Sequence, residues 1–456
     1  MTKSIISWTV FGSFLISTVP VFALNLGNLQ GATRANFLSP NRLTEFCVIP
    51  KKWPAGVYAK KDIETESELC SYDLYTNMGI CPKYNSTNPG VLLLKPTPEF
   101  PKKSIDASSC VTSRLPVKTE AKFKQSISCS YTPSILSYYQ ISRILGGAGR
   151  VPVAVIRTMD RKVHEQLTQK AVKFWSGNSK NENAYFWREY AKAHKAPSRN
   201  LDLFDSTTTQ VFGALSDNPK KEEKYTEVNG KGDYSTRYQR FLQQPPFKRV
   251  SNSASARDLA GSSEFSQIAQ TVVQLKDLGD MILLDTLLNQ QDRIGNIHYK
   301  FYWYYNDPSN PSKLERAKSD AEWKDGKLII PAKETQAMAG RQAALVKEML
   351  LKDNDCGIIK ENMMRQFEVL QKVRHFSYTT YSLFMQFERQ LRTQDGRNYF
   401  ANELLYSEKD FARLIDNASA ARDILLNSCR SGSLQFDADL ENYLPGAPQM
   451  SRSCEI

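Results

Sequence analysis

The sequence lacks most of the short patterns by which common enzyme and binding classes are recognised. It has only four histidines, which are scattered, no CxxC pair and no complete HExxH motif. Zinc ligands usually occur at short fixed spacings, so a zinc site is not indicated. No GxSxG, GxGxxG or GxxxxGK[ST] motif is present either, and the one dense glycine cluster, at 146–149, is interpreted as a turn.

Long hydrophobic runs are also scarce, and the one that exists lies at the N-terminus. Lys3 precedes an apolar run from Ile5 to Val19, which Pro20 and a short segment ending at Ala23 follow. This layout predicts a signal peptide over residues 1–23 and a secreted, lumenal or periplasmic protein. An uncleaved anchor is the alternative, because the run is long enough to span a bilayer. No membrane contact beyond this segment is predicted.

The composition excludes a disordered chain and gives little support to nucleic-acid binding. The 456 residues are 41% hydrophobic, which is enough apolar material to offset the entropy of ordering the chain. The 60 basic residues exceed the 48 acidic ones and give a net charge of +12. Acids are interleaved with the bases, as in the segment 218–234, and no basic stripe is visible. We therefore predict a solvated surface and no nucleic-acid partner.

Eight cysteines behind a signal peptide predict a disulfide framework. Five of them precede residue 130 and three follow residue 355. If all eight pair, these odd numbers require at least one bridge between the two ends of the chain.

The hydrophobic patterning predicts alternating strands and helices after an irregular segment at 24–89. Strands show apolar alternation or short apolar runs, whereas helices repeat every three to four residues. The predicted strands are 90–96, 121–127, 151–157, 298–305 and 343–351, and the predicted helical regions are 133–145, 161–245, 267–288 and 359–430.

Two acidic loops, each next to a predicted strand, carry the strongest chemical signal. Asp292 and Asn296 lie between the helix 267–288 and a strand, and Asp353 begins the segment Asp-Asn-Asp-Cys-Gly after the strand that ends at Leu351. Phosphoryl transfer needs one carboxylate to orient the acceptor hydroxyl and a second to hold the metal that bridges the phosphates. Taken singly, either loop is more often a turn, because Asp, Asn and Gly favour turns.

Several motifs, in the same order, resemble the secretory-pathway kinases of the Golgi casein kinase, glycosaminoglycan xylosylkinase and Four-jointed group. The Gly-Asp-Met motif at Gly279, within the predicted helix 267–288, leads into Asp292-Arg293, similar to the group's catalytic loop. Lys352-Asp353-Asn354-Asp355-Cys356-Gly357 is similar to its metal-binding Asp-Asn-Gly segment. A strand ending in Leu94-Lys95-Pro96, a helix ending in Ser142-Arg143-Ile144-Leu145 and the segment 370–381 also match. The resemblance covers about residues 90–160 and 270–390.

The resemblance implies a role for each matching residue. Asp292 would be the catalytic carboxylate, with Arg293 either bracing its loop or lying exposed. Asp353 would bind Mg²⁺ or Mn²⁺, with help from Asn296, and a strand lysine would bind the phosphates of ATP. Lys124 and Lys95 are both candidates for that lysine, and Lys124 precedes the predicted helix as a kinase fold requires. The helix 133–145 contains no acid to pair with this lysine, so either another residue such as Glu120 supplies the partner or the pair is absent.

Fold and domains follow from the same resemblance. It implies an α+β, two-lobed protein-kinase-like fold with a small sheet-containing N-lobe at 90–160 and a mainly helical C-lobe at 161–430. Residues 24–89 would be a disulfide-bearing extension and 431–456 a C-terminal tail.

The implied activity is transfer of the ATP γ-phosphate to a hydroxyl on a secreted protein or a glycan. Asn296 follows Asp292 by four residues, whereas protein kinases place this asparagine five residues after the aspartate. That departure and the acid-free helix leave open a non-catalytic pseudokinase that acts as a binding or scaffold protein. A disulfide-rich secreted protein without a nucleotide site is the third alternative.

Overall fold

The structure, a computed structural model, describes residues 29, 31, 33–178, 180–230, 232–444, 446 and 452–456. The predicted signal peptide lies outside these residues. Within them the chain is α+β, as predicted, and the named strands pair only in antiparallel fashion. None of the described helices is both long and apolar enough to cross a membrane.

Thirteen strands are found in the described ranges. They are β1 (Thr33–Leu38), β2 (Thr44–Ile49), β3 (Gly79–Pro82), β4 (Val91–Leu94), β5 (Thr119–Lys124), β6 (Ala154–Asp160), β7 (Gln210–Asp217), β8 (Glu223–Lys224), β9 (Ile297–Asp307), β10 (Asn310–Lys318), β11 (Glu322–Lys324), β12 (Lys327–Ile329) and β13 (Ala343–Leu351).

Fifteen α-helices lie between and after these strands in the described ranges. They are α1 (Lys60–Leu69), α2 (Lys102–Ala107), α3 (Thr132–Ile144), α4 (Arg161–Phe174), α5 (Glu182–Lys195), α6 (Thr226–Asn229), α7 (Arg237–Phe241), α8 (Pro245–Val250), α9 (Ala256–Ala260), α10 (Phe265–Leu287), α11 (Ala332–Met338), α12 (Met363–Gln366), α13 (Tyr378–Leu391), α14 (Gln394–Glu403) and α15 (Glu408–Arg430).

The largest sheet has seven strands in the order β1-β2-β6-β7-β5-β4-β3. A second sheet has the order β10-β9-β13, with β8 paired to β9, and β11 and β12 form a hairpin of their own. Helix α3 follows β5 directly and every residue of it is buried, while α10 packs along β13. Helix α3 packs against β6 and β7 of the large sheet, and α10 and β13 lead into the two acidic loops.

Two segments differ from the sequence prediction. Residues 24–89 were expected to be irregular, but they contain β1, β2, α1 and β3; β1 is mostly exposed, so its polar side chains conceal the strand pattern. Residues 161–245 were expected to be helical, but β7 lies among them and pairs with both β5 and β6. Gly213 interrupts the apolar run of β7, since a Cβ there would collide with the Lys124 carbonyl oxygen. The large sheet therefore includes strands from outside 90–160, and the division into domains stays a prediction.

All eight cysteines are paired, as predicted for an oxidising compartment. The pairs are Cys47–Cys70, Cys81–Cys110, Cys129–Cys356 and Cys429–Cys454. Cys129–Cys356 joins residues 227 positions apart and is the bridge between the two ends of the chain that the odd counts required. The four bridges fit a secreted or lumenal protein.

Candidate active site

Lys124, the last residue of β5, meets two carboxylates that follow β13. Its ammonium lies 2.7 Å from Asp355 Oδ2 and 3.5 Å from Asp353 Oδ1. Lys124 and Asp355 are buried, whereas the side chain of Asp353 keeps 36% of its surface exposed. The buried Asp355 therefore holds Lys124 in place, and the partly exposed Asp353 is accessible to a ligand.

The N-terminus of α3 and a disulfide hold the segment Asp353–Gly357 in place. Ser134 donates a hydrogen bond to the Asn354 carbonyl at 2.7 Å, and the Tyr131 amide donates one to the Asp355 carbonyl at 2.9 Å. Gly357 permits this close approach, because a Cβ there would lie 2.5 Å from Ser134 Oγ. Cys356 is bonded to Cys129, which lies between β5 and α3.

Removing this bridge should loosen the acidic segment more than the rest of the fold. We expect the Cys129→Ser/Cys356→Ser variant to lose roughly 2–5 kcal/mol of stability, because a long loop is no longer closed. Amide hydrogen exchange should accelerate at residues 352–358. The Cys429→Ser/Cys454→Ser variant is the matched control, and equal exchange at 352–358 in both variants would contradict this role.

Arg293 is fully buried and braces the catalytic-loop candidate against the acidic segment. Its guanidinium contacts Asp285 Oδ2 at 2.9 Å, Asn354 Oδ1 at 2.7 Å and the Lys352 carbonyl at 2.8 Å. Burial by itself would lower the pKa of Arg293, but the charge of Asp285 raises it above its ordinary value. Of the two interpretations of Arg293, the structure agrees with the brace and not with an exposed charge.

Backbone hydrogen bonds join the same two loops. The Gln291 amide donates to the Cys356 carbonyl at 3.2 Å, and the Ile358 amide donates to the Leu288 carbonyl at 2.6 Å. Two segments some 60 residues apart in sequence are thus held side by side.

Asp292 lies in the middle of the loop between α10 and β9, and both of its carboxylate oxygens are engaged. Arg237, the first residue of α7, forms an ion pair with Oδ1 and also donates to the Gln291 carbonyl at 2.6 Å. Asn296 donates to Asp292 Oδ2 at 3.2 Å and to the Asp292 carbonyl at 2.9 Å. The Asn296 amide nitrogen is therefore used within the loop, and no hydrogen bond to its side-chain oxygen is found in the described part of the chain.

The cleft between β5 and the segment Asp353–Gly357 is rich in lysines, and their charges dominate its electrostatics. Burial alone would raise the pKa of Asp353, but Lys124, Lys83 and Lys122 outweigh this effect and hold the pKa well below its usual range. Burial and, secondly, the positive charge of Lys124 lower the pKa of Lys83 to about 7. Burial and, secondly, the positive charge of Lys352 lower the pKa of Lys122 to about 8. Asp353 is thus held ionised beside several cations.

Lys95, the other candidate, is placed elsewhere. It is exposed and follows β4 at Leu94, which pairs with Thr119 at the start of β5, whereas Lys124 is at the end of β5. The carboxylate partner of Lys124 is also not the expected one. Glu120, the suggested partner, contacts Lys220, and the carboxylate that pairs with Lys124 is that of Asp355.

Sequence reasoning missed Asp355, Lys122 and Arg237 as members of this site. Asp355 could have been found, because Asp353 and Asp355 are the two acids of one short loop and Lys124 had no acid on α3. Lys122 shares a face of β5 with Lys124, since side chains two apart on a strand point the same way. Nothing in the sequence indicates Arg237, which comes from a helix of only five residues.

The donor set fits a divalent ion only if a ligand supplies most of the coordination. In the parts of the chain that the structure describes, no three His, Cys, Asp or Glu side chains are grouped to hold a metal. Asp353 lines the cleft, and Asn296 lies in the neighbouring loop of Asp292. Mg²⁺ commonly binds through one or two carboxylates together with substrate phosphates and water, which is consistent with this sparse set.

Comparison with known proteins leaves the resemblance as it stood. Neither a family model nor a curated protein matches the sequence. The function is therefore inferred from the residues of this chain.

Proposed function

We propose that this protein is a secreted, kinase-like phosphotransferase that moves the γ-phosphate of ATP to a hydroxyl on a secreted protein or glycan. One observation carries the proposal: Lys124 and Asp353, 229 residues apart, meet at 3.5 Å beside the braced loop of Asp292. A strand lysine, a metal-binding aspartate and a catalytic-loop aspartate are the parts that protein kinases use.

The order of the elements supports the proposal further. Strand β5 carries Lys124 and is followed by α3, while α10 leads into Asp292 and β13 leads into Asp353. This is the chain order of the corresponding parts in the kinases that the sequence resembles. We propose accordingly that the large sheet with α3 forms the smaller of two lobes, and that α10 and the later helices form the larger.

In the proposed reaction each residue acts on a stated atom. Lys124 would bind phosphate oxygens, and Asp292 would orient the acceptor hydroxyl and accept its proton. A bond forms between the hydroxyl oxygen and the γ-phosphorus, the bond to the bridging oxygen breaks, and ADP leaves. Asp353 and Asn296 would hold Mg²⁺ or Mn²⁺, which supplies neutralisation of the phosphate charge.

Labelled phosphate transfer tests the function. Wild-type protein with γ-labelled ATP and Mn²⁺ should label at least one member of a panel of secreted proteins and glycans. The Asp292→Asn variant should bind nucleotide but transfer roughly a hundred-fold or more slowly, because the hydroxyl loses its proton acceptor. Labelling that the variant retains in full would contradict the role of Asp292.

A non-catalytic pseudokinase is the second candidate, and the Arg237–Asp292 pair favours it. An aspartate whose two oxygens already accept hydrogen bonds is less available to a hydroxyl than an unpaired one. Binding of ATP without transfer to any acceptor would support this alternative.

Substitution of Arg237 tests whether its contact with Asp292 serves catalysis. If the protein is a kinase, Arg237 positions Asp292, so Arg237→Ala should lower the transfer rate about ten-fold or more while nucleotide affinity changes little. Arg240→Ala is the matched control on the same helix, because Arg240 contacts Asp233 and Thr236 and not the loop. A pseudokinase would show no transfer in the wild type or in either variant.

A further inference from the structure

The cavity between β5 and the acidic segment is small and strongly polar. Its volume is about 40 Å³. A buried water needs roughly 10–15 Å³ on this measure, so the cavity has room for about three waters, which is the scale of one phosphate group and less than a purine. The cavity is lined by three lysines, two aspartates and a few apolar side chains, and no aromatic ring is among the lining residues. Its polar lining residues are Lys122, Lys124, Lys352, Asp353, Asp217, Asn354 and Ser216.

Lys122 is the lysine of this cavity whose charge is not already matched. Lys124 is paired with Asp355 and Asp353, and Lys352 is paired with Glu222. Among the described residues, the Lys122 ammonium has no hydrogen bond or ion pair, although its side chain is half-buried. A buried charge without a partner is unfavourable, and an anion entering the cavity would supply the partner.

A nucleobase finds no comparable recognition in this cavity. Ligand pockets that select aromatic groups offer apolar and aromatic walls, and here the apolar lining is limited to Ile135, Val151 and Pro152. The three lysines of the lining outnumber its two aspartates, so charge and size both match a phosphate group better than a base.

We propose that the cleft recognises its phosphate donor through the phosphate chain and not through the base, with Lys122 as an additional phosphate-binding residue. ATP, GTP and inorganic tripolyphosphate are then ligands of the same site. This inference rests on the proposed nucleotide-binding function and specifies the class of donor.

Calorimetric titrations of the full chain with Mn²⁺ test it. We expect ATP, GTP and tripolyphosphate to bind within about three-fold of one another and adenosine not to bind. Lys122→Gln should weaken all three phosphate ligands about ten-fold or more, the scale of one lost charge-assisted hydrogen bond. Lys118→Gln, at an exposed lysine just before β5, should leave all three affinities unchanged.

The outcomes separate this inference from the proposed function. ATP binding ten-fold or more tighter than GTP and tripolyphosphate, or unchanged affinities in Lys122→Gln, would overturn the inference and leave a nucleotide site in place. No binding of any phosphate ligand would overturn the proposed function itself. Thermal melts without ligand confirm that both variants are folded, so that a lost affinity reports on Lys122.

Discussion

Replacing Asp353 with asparagine is expected to reduce Mn²⁺-dependent ATP binding roughly a hundred-fold or more, since it removes the partly exposed carboxylate beside Lys124. Asp353 has a positive φ of 51°, a conformation that asparagine adopts more readily than most residues. The substitution therefore removes the charge without straining the backbone. Calorimetric titration with ATP in Mn²⁺ measures the effect.

Asp325→Asn is the matched control for this substitution. Asp325 also has a positive φ, of 50°, but it lies in the exposed turn between β11 and β12. The control should bind ATP as the wild type does. Wild-type affinity in Asp353→Asn would remove Asp353 from the site.

The second large effect concerns the brace and appears in stability. Arg293→Met leaves Asp285 buried without its cation, which is expected to cost about 3–5 kcal/mol in the free energy of unfolding. Chemical denaturation followed by circular dichroism measures the loss. Arg293→Met/Asp285→Asn should recover much of it, because no uncompensated charge then remains.

An exposed ion pair provides the control for Arg293. Arg430 pairs with Glu455 at the surface, where both side chains are more than half exposed. Arg430→Met should change stability by less than about 1 kcal/mol, as is usual for exposed pairs. If Arg293→Met proves equally mild, the guanidinium is not the brace described above.

The sequence predicted the elements that have strong local patterns. Helix α3, helix α10 and strand β13 were predicted within a few residues, because each shows a long apolar repeat or a clear alternation. Strand β7 was missed because Gly213 interrupts its apolar run. A glycine is needed there because β7 passes close to Lys124 of β5. Contacts between distant segments decide such elements, and no local pattern records those contacts.

The site was predictable in part for the same reason. Lys124 could be proposed because it lies in the predicted strand before the helix, and Asp353 because it follows a predicted strand, and the structure brings them together. The pairing of Lys124 with Asp355 could not be predicted, because it depends on how the segment after β13 turns beneath α3. The Arg237–Asp292 contact likewise comes from a short helix with no distinctive sequence.

The most direct test of the account is to label the lysines nearest a bound triphosphate. An acyl-phosphate derivative of ATP transfers its acyl group to lysine amines close to its phosphates, and peptide mass spectrometry locates the products. With Mn²⁺ present, we predict labelling at one or more of Lys83, Lys122 and Lys124, and its suppression by excess ATP. Labelling confined to exposed lysines such as Lys95, or labelling that excess ATP does not suppress, would contradict a phosphate-binding cleft between β5 and Asp353.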